Sequence, residues 1–277
     1  MYADTIALGV NLFLSLVCFV SGVDHQRDPA QMETTADTRR QVVIQDSERH
    51  ELTSAFVDDI FKIHVYSPSG YDEMKDPIPV VYLLDAEYSF GAMAYIIRRL
   101  IKDKLIPPVL LVGVAYEVSY DEYYRRRERD FTPTAAHLDE FPNAGQGKSF
   151  VRFLRQELVP FINRTYRVVP GDRTIVGLSF SGLFLSYLLF KEVDLFNRYV
   201  IVSPSLWWDN GIVFRYESDY RSQNSDLLAR VYLAAGEDDG RSILRDLRRL
   251  EEVLTDRHYQ GLHYRVKFFP EETHRTV

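Results

Sequence analysis

The chain has 277 residues, of which 46% are hydrophobic and 26% are charged; this composition excludes disorder for most of the chain and is sufficient for a buried core. The formal net charge is −7 and no run of Lys or Arg is long enough to neutralise a row of phosphates, so nucleic acid is not an expected partner. The one cysteine, Cys18, excludes an intramolecular disulfide and a cysteine-based metal site.

An apolar segment at residues 6–23 comes first, and its length lies between that of a signal-peptide core and that of a short membrane helix. The residues before it, "MYADT", contain no Lys or Arg, which is atypical of a signal peptide. We expect residues 1–23 to be a leader that acts as a signal peptide or an anchor, and residues 24–41 to be a flexible linker. Export is therefore expected, to a periplasmic, secreted or membrane-anchored location, with a cytoplasmic location as the alternative.

The folded domain is predicted over residues 42–277. An antiparallel pair of strands opens it, since residues 60–68 alternate with period two after a similar stretch. The apolar runs at 78–85 and 107–116 are typical of parallel strands buried on both faces, and a helical pattern lies between them. Further helices are predicted at 148–166 and 242–258, and further strands at 198–205, 229–237 and 262–269. This alternation predicts an α/β protein with a mostly parallel sheet, an antiparallel start and helices on both faces.

The motif "GLSFSG" at 177–182 differs by one residue from the G-x-S-x-G pattern of a nucleophile elbow. It follows the predicted strand "TIV" and precedes the apolar helix "GLFLSYLLF", which is the order that an elbow requires. Ser181 stands where the second glycine is usual, and we expect it to be tolerated because its hydroxyl can bond to backbone in the first helical turn. Ser179 is the predicted nucleophile; the alternative is a structural serine at a strand-to-helix junction.

A serine nucleophile needs a histidine to take its proton. In α/β-hydrolases that histidine follows the serine along the chain, after a later strand. Three histidines follow Ser179: His258 ends a predicted helix and His263 alternates within a predicted strand, whereas His274 lies in the loop after the last strand. His274 is therefore the predicted base.

The histidine needs an acid, which belongs at the end of the strand 229–237. The loop there offers Glu237, Asp238 and Asp239, and Asp239 is the predicted acid, although adjacent carboxylates are also typical of a solvated loop.

Stabilisation of the oxyanion is expected from backbone N–H groups. One is that of Phe180, and the other comes from the loop after strand "VVYLLD", near Ala86 or Glu87. No metal or other cofactor is expected for this chemistry.

Five segments occur in order along the chain: "PVVYLLDAEYSF", "RRRERDFTPT", "FVRFLRQELVPFINRTYRV", "GLSFSGLF" and "SPSLWWDN". Together they resemble the putative-esterase family of α/β-hydrolases, which includes esterase D, feruloyl and acetyl-xylan esterases and enterochelin-type siderophore esterases. Within this family, the chain looks like a member of a bacterial branch of predicted hydrolases. The resemblance runs from about residue 45 onwards. It implies an α/β-hydrolase fold, with Ser179 as the nucleophile, Asp239 as the acid and His274 as the base.

This sequence departs from the family pattern at Ser181, at Leu178, where a histidine is frequent, and at "ETH", where relatives have a Gly-His step. Relatives usually continue past the histidine into a final helix that covers the sheet. We therefore expect this domain to lack that helix.

The resemblance also places two segments beside the site. In "SPSLWWDN", Trp207 and Trp208 are expected to line an acyl or aromatic pocket, with a plain core role as the alternative. In "RRRERDFTPT", Arg129 is expected at the mouth of the site, where an ion pair with Asp130 holds the loop, and residues 125–127 are expected to attract an anionic substrate.

The expected function is that of a serine carboxylic-ester hydrolase that works through a Ser-His-Asp triad and an acyl-enzyme. Its substrate is expected to be a small-molecule ester, either a siderophore lactone or a carbohydrate ester. Two alternatives remain: an acyltransferase that uses the same triad, and a non-catalytic binding protein with the same fold. Membrane attachment is expected only through the N-terminal segment.

Overall fold

The computed structural model describes residues 43–136 and 139–277. The predicted leader at 1–23 and linker at 24–41 lie outside the described residues. Within the two described ranges, no helix combines the length and the apolar character that crossing a membrane demands.

One eight-stranded sheet forms the centre of the domain, with the strand order β1-β2-β4-β3-β5-β6-β7-β8. The strands are β1 (Ser47–Ser54), β2 (Asp59–Tyr66), β3 (Ile78–Leu83), β4 (Leu110–Ala115), β5 (Val168–Leu178), β6 (Arg198–Val202), β7 (Asp226–Gly236) and β8 (Gln260–Phe269). Strand β2 is antiparallel to both β1 and β4, and the remaining neighbours pair in parallel. The predicted fold class, with its antiparallel start, is confirmed.

Seven α-helices surround the sheet in the described ranges. They are α1 (Ala86–Lys102), α2 (Tyr120–Phe131), α3 (Gly147–Phe153), α4 (Val159–Thr165), α5 (Phe180–Lys191), α6 (Trp208–Arg221) and α7 (Arg241–Arg257). A π-helical turn at Leu154–Leu158 joins α3 to α4, so the helix predicted at 148–166 contains one wider turn. The segment "RRRERD" belongs to α2, so it is helical and not part of a loop as was expected.

The central strands of the sheet are buried on both faces, whereas the edge strands β1 and β8 are mostly exposed or half-buried. Successive side chains of a strand point in opposite directions, so each face has its own apolar cluster. In β4, Leu110 and Val112 pack in the main apolar cluster with α3 and α5, whereas Leu111 packs in a second cluster against α1. Every residue of β4 is buried, as the continuous apolar run predicts. Helices therefore cover both faces of the central strands, and the polar residues of the candidate site lie at the strand ends.

Parallel strands end at the same edge of a sheet, and this edge is where ligands bind in open α/β folds. The loops at this edge follow β3, β5, β7 and β8, and they carry Asp85, Ser179, Asp239 and His274 respectively. The parallel topology thus brings together residues that are far apart in sequence.

Candidate active site

Ser179 occupies a sharp turn between β5 and α5. Its φ of 65° and ψ of −116° are strained for a residue with a side chain, as a nucleophile elbow requires. A Cβ at Gly177 would lie 2.9 Å from the carbonyl carbon of Ser181, and one at Gly182 would lie 2.9 Å from the oxygen of Val202. Both glycines are therefore needed for the close approach of the elbow to its own helix and to β6.

The Ser181 hydroxyl bonds inside the elbow, and the residue is fully buried. Its Oγ accepts a hydrogen bond from the Leu178 N–H at 2.8 Å and lies 2.8 Å from two acceptors, the Leu178 oxygen and Asp85 Oδ2. A hydroxyl has one proton, so it donates to one of these acceptors at a time. The expected local backbone bond is present, and the contact with Asp85 ties the elbow to the loop after β3.

Asp85 is the centre of a polar network that the sequence analysis missed. Arg127 donates to it from Nε to Oδ1 at 2.7 Å and from Nη2 to Oδ2 at 2.9 Å, which is a bidentate pair, and the Tyr123 hydroxyl donates to Oδ1 at 2.9 Å. Only 8% of the Arg127 side chain and 15% of the Asp85 side chain are exposed. The available signal was a lone carboxylate placed directly after the buried strand β3.

His274 and Asp239 meet at the ends of β8 and β7. The histidine Nδ1 lies 3.1 Å and 3.2 Å from the two carboxylate oxygens of Asp239, whose side chain is 1% exposed. The N–H of Gly240 donates to the same carboxylate at 2.6 Å. Since Nδ1 faces the carboxylate, the proton on the ring resides there, and Nε2 is the nitrogen that can take a proton from a hydroxyl.

The loops that carry these two residues are bonded to each other. The N–H of Glu237 donates to the oxygen of Phe269 at 2.8 Å, and the N–H of Asp238 donates to the oxygen of Glu272 at 3.0 Å. A Cβ at Gly236 would lie 1.9 Å from that Glu272 oxygen. The pairing of β7 with β8 thus continues past the strand ends, and this holds the histidine beside its acid.

The predicted oxyanion donors lie at the first positions of two helices. Phe180 begins α5, and Ala86 and Glu87 begin α1. The first N–H groups of a helix have no partner within it, so all three are suitable donors; their role stays a prediction. The Glu87 carboxylate accepts from the N–H groups of Tyr116 and Glu117, and burial raises its pKa.

Aromatic rings flank Phe180 on one side of the site. The ring of Phe141 lies 5.5 Å from that of Phe180 and 6.3 Å from that of Trp207, measured between centroids. Trp207 is partly exposed, and its role in substrate binding stays a prediction. Trp208 has no exposed surface and donates its indole N–H to the oxygen of Thr134 at 3.1 Å. It therefore packs behind the rings of Phe141 and Phe180 and has the core role that was the alternative.

Arg129 lies in α2 and has two carboxylate partners. Its Nε donates to Asp130 at 2.7 Å and its Nη2 donates to Asp59 at 2.9 Å. The expected ion pair with Asp130 is confirmed, and the contact with Asp59 fastens α2 to β2. A role in substrate binding stays a prediction for this residue.

The other arginines of α2 are paired as well. Arg125 contacts Glu122, Arg126 donates to Glu122 at 2.8 Å, and Arg127 holds Asp85. Each of the three positive charges therefore has a carboxylate beside it. This pairing lowers the net positive charge of the segment, and the expected attraction of an anionic substrate stays a prediction.

Residues 54–271 match a family model described as Putative esterase. The chain is 34% identical over 184 residues to the Ferri-bacillibactin esterase BesA of Bacillus subtilis, a match that covers 61% of each protein. It is 27% identical over 168 residues to a Siderophore enterobactin esterase of Emericella nidulans, which covers 54% of this chain and 55% of that protein. The matches thus span less than two thirds of these two curated relatives.

Two solved structures have a similar fold. The BES protein from Bacillus cereus gives a TM-score of 0.77 at 24% identity, over 87% of this chain and 93% of that one. An IroE-like serine hydrolase from Shewanella oneidensis gives a TM-score of 0.73 at 27% identity, over 83% of this chain and 76% of that one.

Proposed function

This chain belongs to the Putative esterase family, and on that premise we propose that it is a serine hydrolase of carboxylic esters. The observation that carries the proposal is the bonded pair of His274 and Asp239 at the same sheet edge as the strained Ser179. A serine, a buried carboxylate and a histidine in this chain order are the groups that activate a hydroxyl for attack on an ester carbonyl.

In the proposed reaction, Ser179 Oγ attacks the ester carbonyl carbon while His274 Nε2 takes the hydroxyl proton. Asp239 holds the imidazole through Nδ1 and stabilises the positive charge that forms on it. The N–H of Phe180, with that of Ala86 or Glu87, binds the oxyanion. Collapse of the intermediate breaks the ester C–O bond, and His274 gives its proton to the departing alcohol. A water molecule then attacks the acyl carbon while His274 Nε2 takes its proton. The bond between the acyl carbon and Ser179 Oγ breaks, His274 returns the proton to that oxygen, and the carboxylic acid leaves.

Labelling with a fluorophosphonate probe tests this proposal directly. The full-length chain should be labelled on the peptide that contains Ser179, and Ser179→Ala should lose both labelling and turnover of p-nitrophenyl esters. Ser186→Ala is the matched control, because this serine lies in α5, the helix that follows Ser179, and its hydroxyl donates to the Gly182 oxygen. A folded protein that resists the probe would contradict the proposal and favour a non-catalytic binding protein.

The names of the relatives support a siderophore ester as substrate. Both curated relatives described above are named as siderophore esterases, and we extend that substrate class to this chain within the proposal. Turnover of a cyclic trilactone should be compared with that of feruloylated and acetylated sugars, which represent the carbohydrate-ester alternative. Product analysis with added glycerol separates hydrolysis from acyl transfer, since a transferase would form a glycerol ester.

Export belongs to the proposal and rests on the apolar residues 6–23 alone. Fractionation of cells that express the whole chain should find the protein outside the cytoplasm. Deletion of residues 1–23 should return it to the cytoplasm, and an unchanged distribution would contradict this part of the proposal.

A further inference from the structure

Three tyrosines form an exposed aromatic cluster beside the site. The exposed fractions are 67% for Tyr88, 62% for Tyr120 and 44% for Tyr124. Tyr88 lies in the first turn of α1, and the other two lie in the first two turns of α2. Grouped exposed aromatic residues at a protein surface mark binding sites, because each ring offers apolar area together with a polar hydroxyl.

Contacts among the rings hold this tyrosine cluster in place. The Tyr120 and Tyr124 rings lie 4.6 Å apart between centroids, with their hydroxyl oxygens 3.2 Å apart. The ring of Tyr123 lies edge-on to Tyr124 at 5.3 Å and to Tyr88 at 5.2 Å. Tyr123 is itself buried and donates its hydroxyl to Asp85. The exposed rings are therefore positioned before any ligand arrives, which lowers the entropic cost of binding.

The tyrosine cluster is continuous with the proposed site through Arg127. The guanidinium carbon of this arginine lies 5.7 Å from the centroid of the Tyr124 ring and 5.8 Å from that of Phe180, the residue that follows the nucleophile. Tyr88 stands next in the chain to Glu87, a predicted oxyanion donor. Only 8% of the Arg127 side chain is exposed, so the arginine joins the two groups from beneath, and a substrate whose ester carbonyl lies at Ser179 can extend over it onto the exposed rings.

The charges around the cluster are balanced, so stacking and apolar contact dominate recognition there. The four arginines of α2, Arg125, Arg126, Arg127 and Arg129, contact four carboxylates, those of Glu122, Asp59, Asp85 and Asp130. We infer that Tyr88, Tyr120 and Tyr124 form an outer subsite that binds the aromatic ring of an aryl-bearing ester. The inference rests on the proposed esterase function for its ligand, and it adds the residues that select an aryl-bearing ester.

Equilibrium binding tests the subsite without turnover. The full-length Ser179→Ala protein is titrated with ethyl ferulate, and the dissociation constant is compared with that of the same protein carrying Tyr88→Ala and Tyr120→Ala. Loss of two ring contacts should weaken binding about tenfold or more. Tyr95→Ala is the matched control, since this tyrosine is 58% exposed on the same helix as Tyr88 and should leave binding unchanged. Equal affinities in all three proteins would overturn the inference.

Kinetics of the protein in which Ser179 is intact provide the second readout. The double Tyr88→Ala and Tyr120→Ala variant should raise KM for ethyl ferulate about tenfold while kcat stays nearly constant. The variant with Tyr88→Ala and Tyr120→Phe should have a lower KM than the double alanine variant, because one ring is kept. Hydrolysis of ethyl butyrate, which has no ring, should change less than about twofold. An equal loss for both esters would contradict the subsite. Failure of the parent protein to react with fluorophosphonate would contradict the esterase proposal instead, and the binding titration would still decide the subsite.

Discussion

At the scale of single residues, Ser181 serves two parts of the site with one hydroxyl. It gives the Leu178 N–H an acceptor inside the elbow and reaches Asp85 across the sheet edge. A glycine at this position would leave that N–H without this acceptor. Ser181, which departs from the usual motif, therefore helps to hold the elbow in place.

Ser181→Ala should weaken the elbow. Removal of the hydroxyl leaves the Leu178 N–H unpaired and Asp85 with one donor fewer, so the free energy of unfolding should fall by about 1 to 3 kcal/mol. Urea denaturation measures this change, and the rate of fluorophosphonate labelling reports the alignment of Ser179. Ser186→Ala, which removes one bond to a helical carbonyl, should cost less. Equal losses in the two variants would contradict a special role for Ser181.

Gly236→Ala should displace the loop that carries His274. The new Cβ would lie 1.9 Å from the Glu272 oxygen, so the loop must move away from the end of β7. A shift of about 1 Å in a reacting group costs on the order of a hundredfold in rate. Gly240→Ala is the matched control, because its Cβ would meet Ile243 at an ordinary 3.8 Å. Ester turnover by the two variants measures the difference, and similar rates would refute the expected displacement.

Glu87 should make stability depend on pH. Burial raises the pKa of its carboxyl above the ordinary value of 4.5, so the charged form is disfavoured in the folded state. The stability that the protonated form gives is complete below pH 4.5 and is lost as pH rises through the folded pKa. Glu87→Gln does not titrate, so the free energy of unfolding of the variant minus that of the parent should increase between about pH 4 and pH 8. A difference that is constant with pH in urea titrations would show that Glu87 is not responsible.

At the scale of elements, the buried parallel strands are the part of the fold that sequence predicts best. Strands β3 and β4 coincide with continuous apolar runs, because burial on both faces permits no polar residue. Helix α6 was not predicted, since Asp209, Asn210 and Gly211 have the composition of a turn. In the structure all three have positive φ and form a non-helical kink near the start of α6, so the turn signal is correct at these residues and the regular helix continues after them.

The candidate site likewise contains some residues that the sequence predicts and others that it does not. Chain order and strand ends were enough to choose Ser179, Asp239 and His274, and the structure brings the last two into contact. The network around Asp85 was not predictable, because its contact with Ser181 joins residues 96 positions apart. Nothing local in sequence indicates such a pair.

The ion pair between Asp85 and Arg127 links the start of α1 to α2. Arg127→Met should leave the Asp85 carboxylate buried without its cation, and the free energy of unfolding should fall by about 3 to 5 kcal/mol. Adding Asp85→Asn should recover part of this loss, because the uncompensated charge is then removed. The double-mutant cycle, measured in urea, gives the coupling between the two residues. Additive effects of the two changes would contradict a coupled pair.

At the scale of the whole molecule, the sheet order determines how the site is assembled. Its residues come from loops after β3, β5, β7 and β8, which occupy neighbouring or near-neighbouring positions in the sheet. A parallel pairing requires a crossover through a helix, so these loops meet only when several βαβ units have formed. Chemistry at this edge thus depends on the cooperative folding of most of the described domain.

Strand β8 stands at the end of the sheet order, and the segment after it carries His274. This strand follows β7 in the chain with only α7 between them, whereas β3 pairs with β5 across a longer stretch that contains β4 and several helices. Contacts between distant parts of a chain form slowly, so we expect the pairing of β3 with β5 to follow the docking of β8 on β7. Asp239 and His274 would then meet before Asp85 reaches Ser181 in the elbow. The onset of fluorophosphonate labelling during refolding would report the pairing of β3 with β5, and the protein would gain its reactivity only at that step.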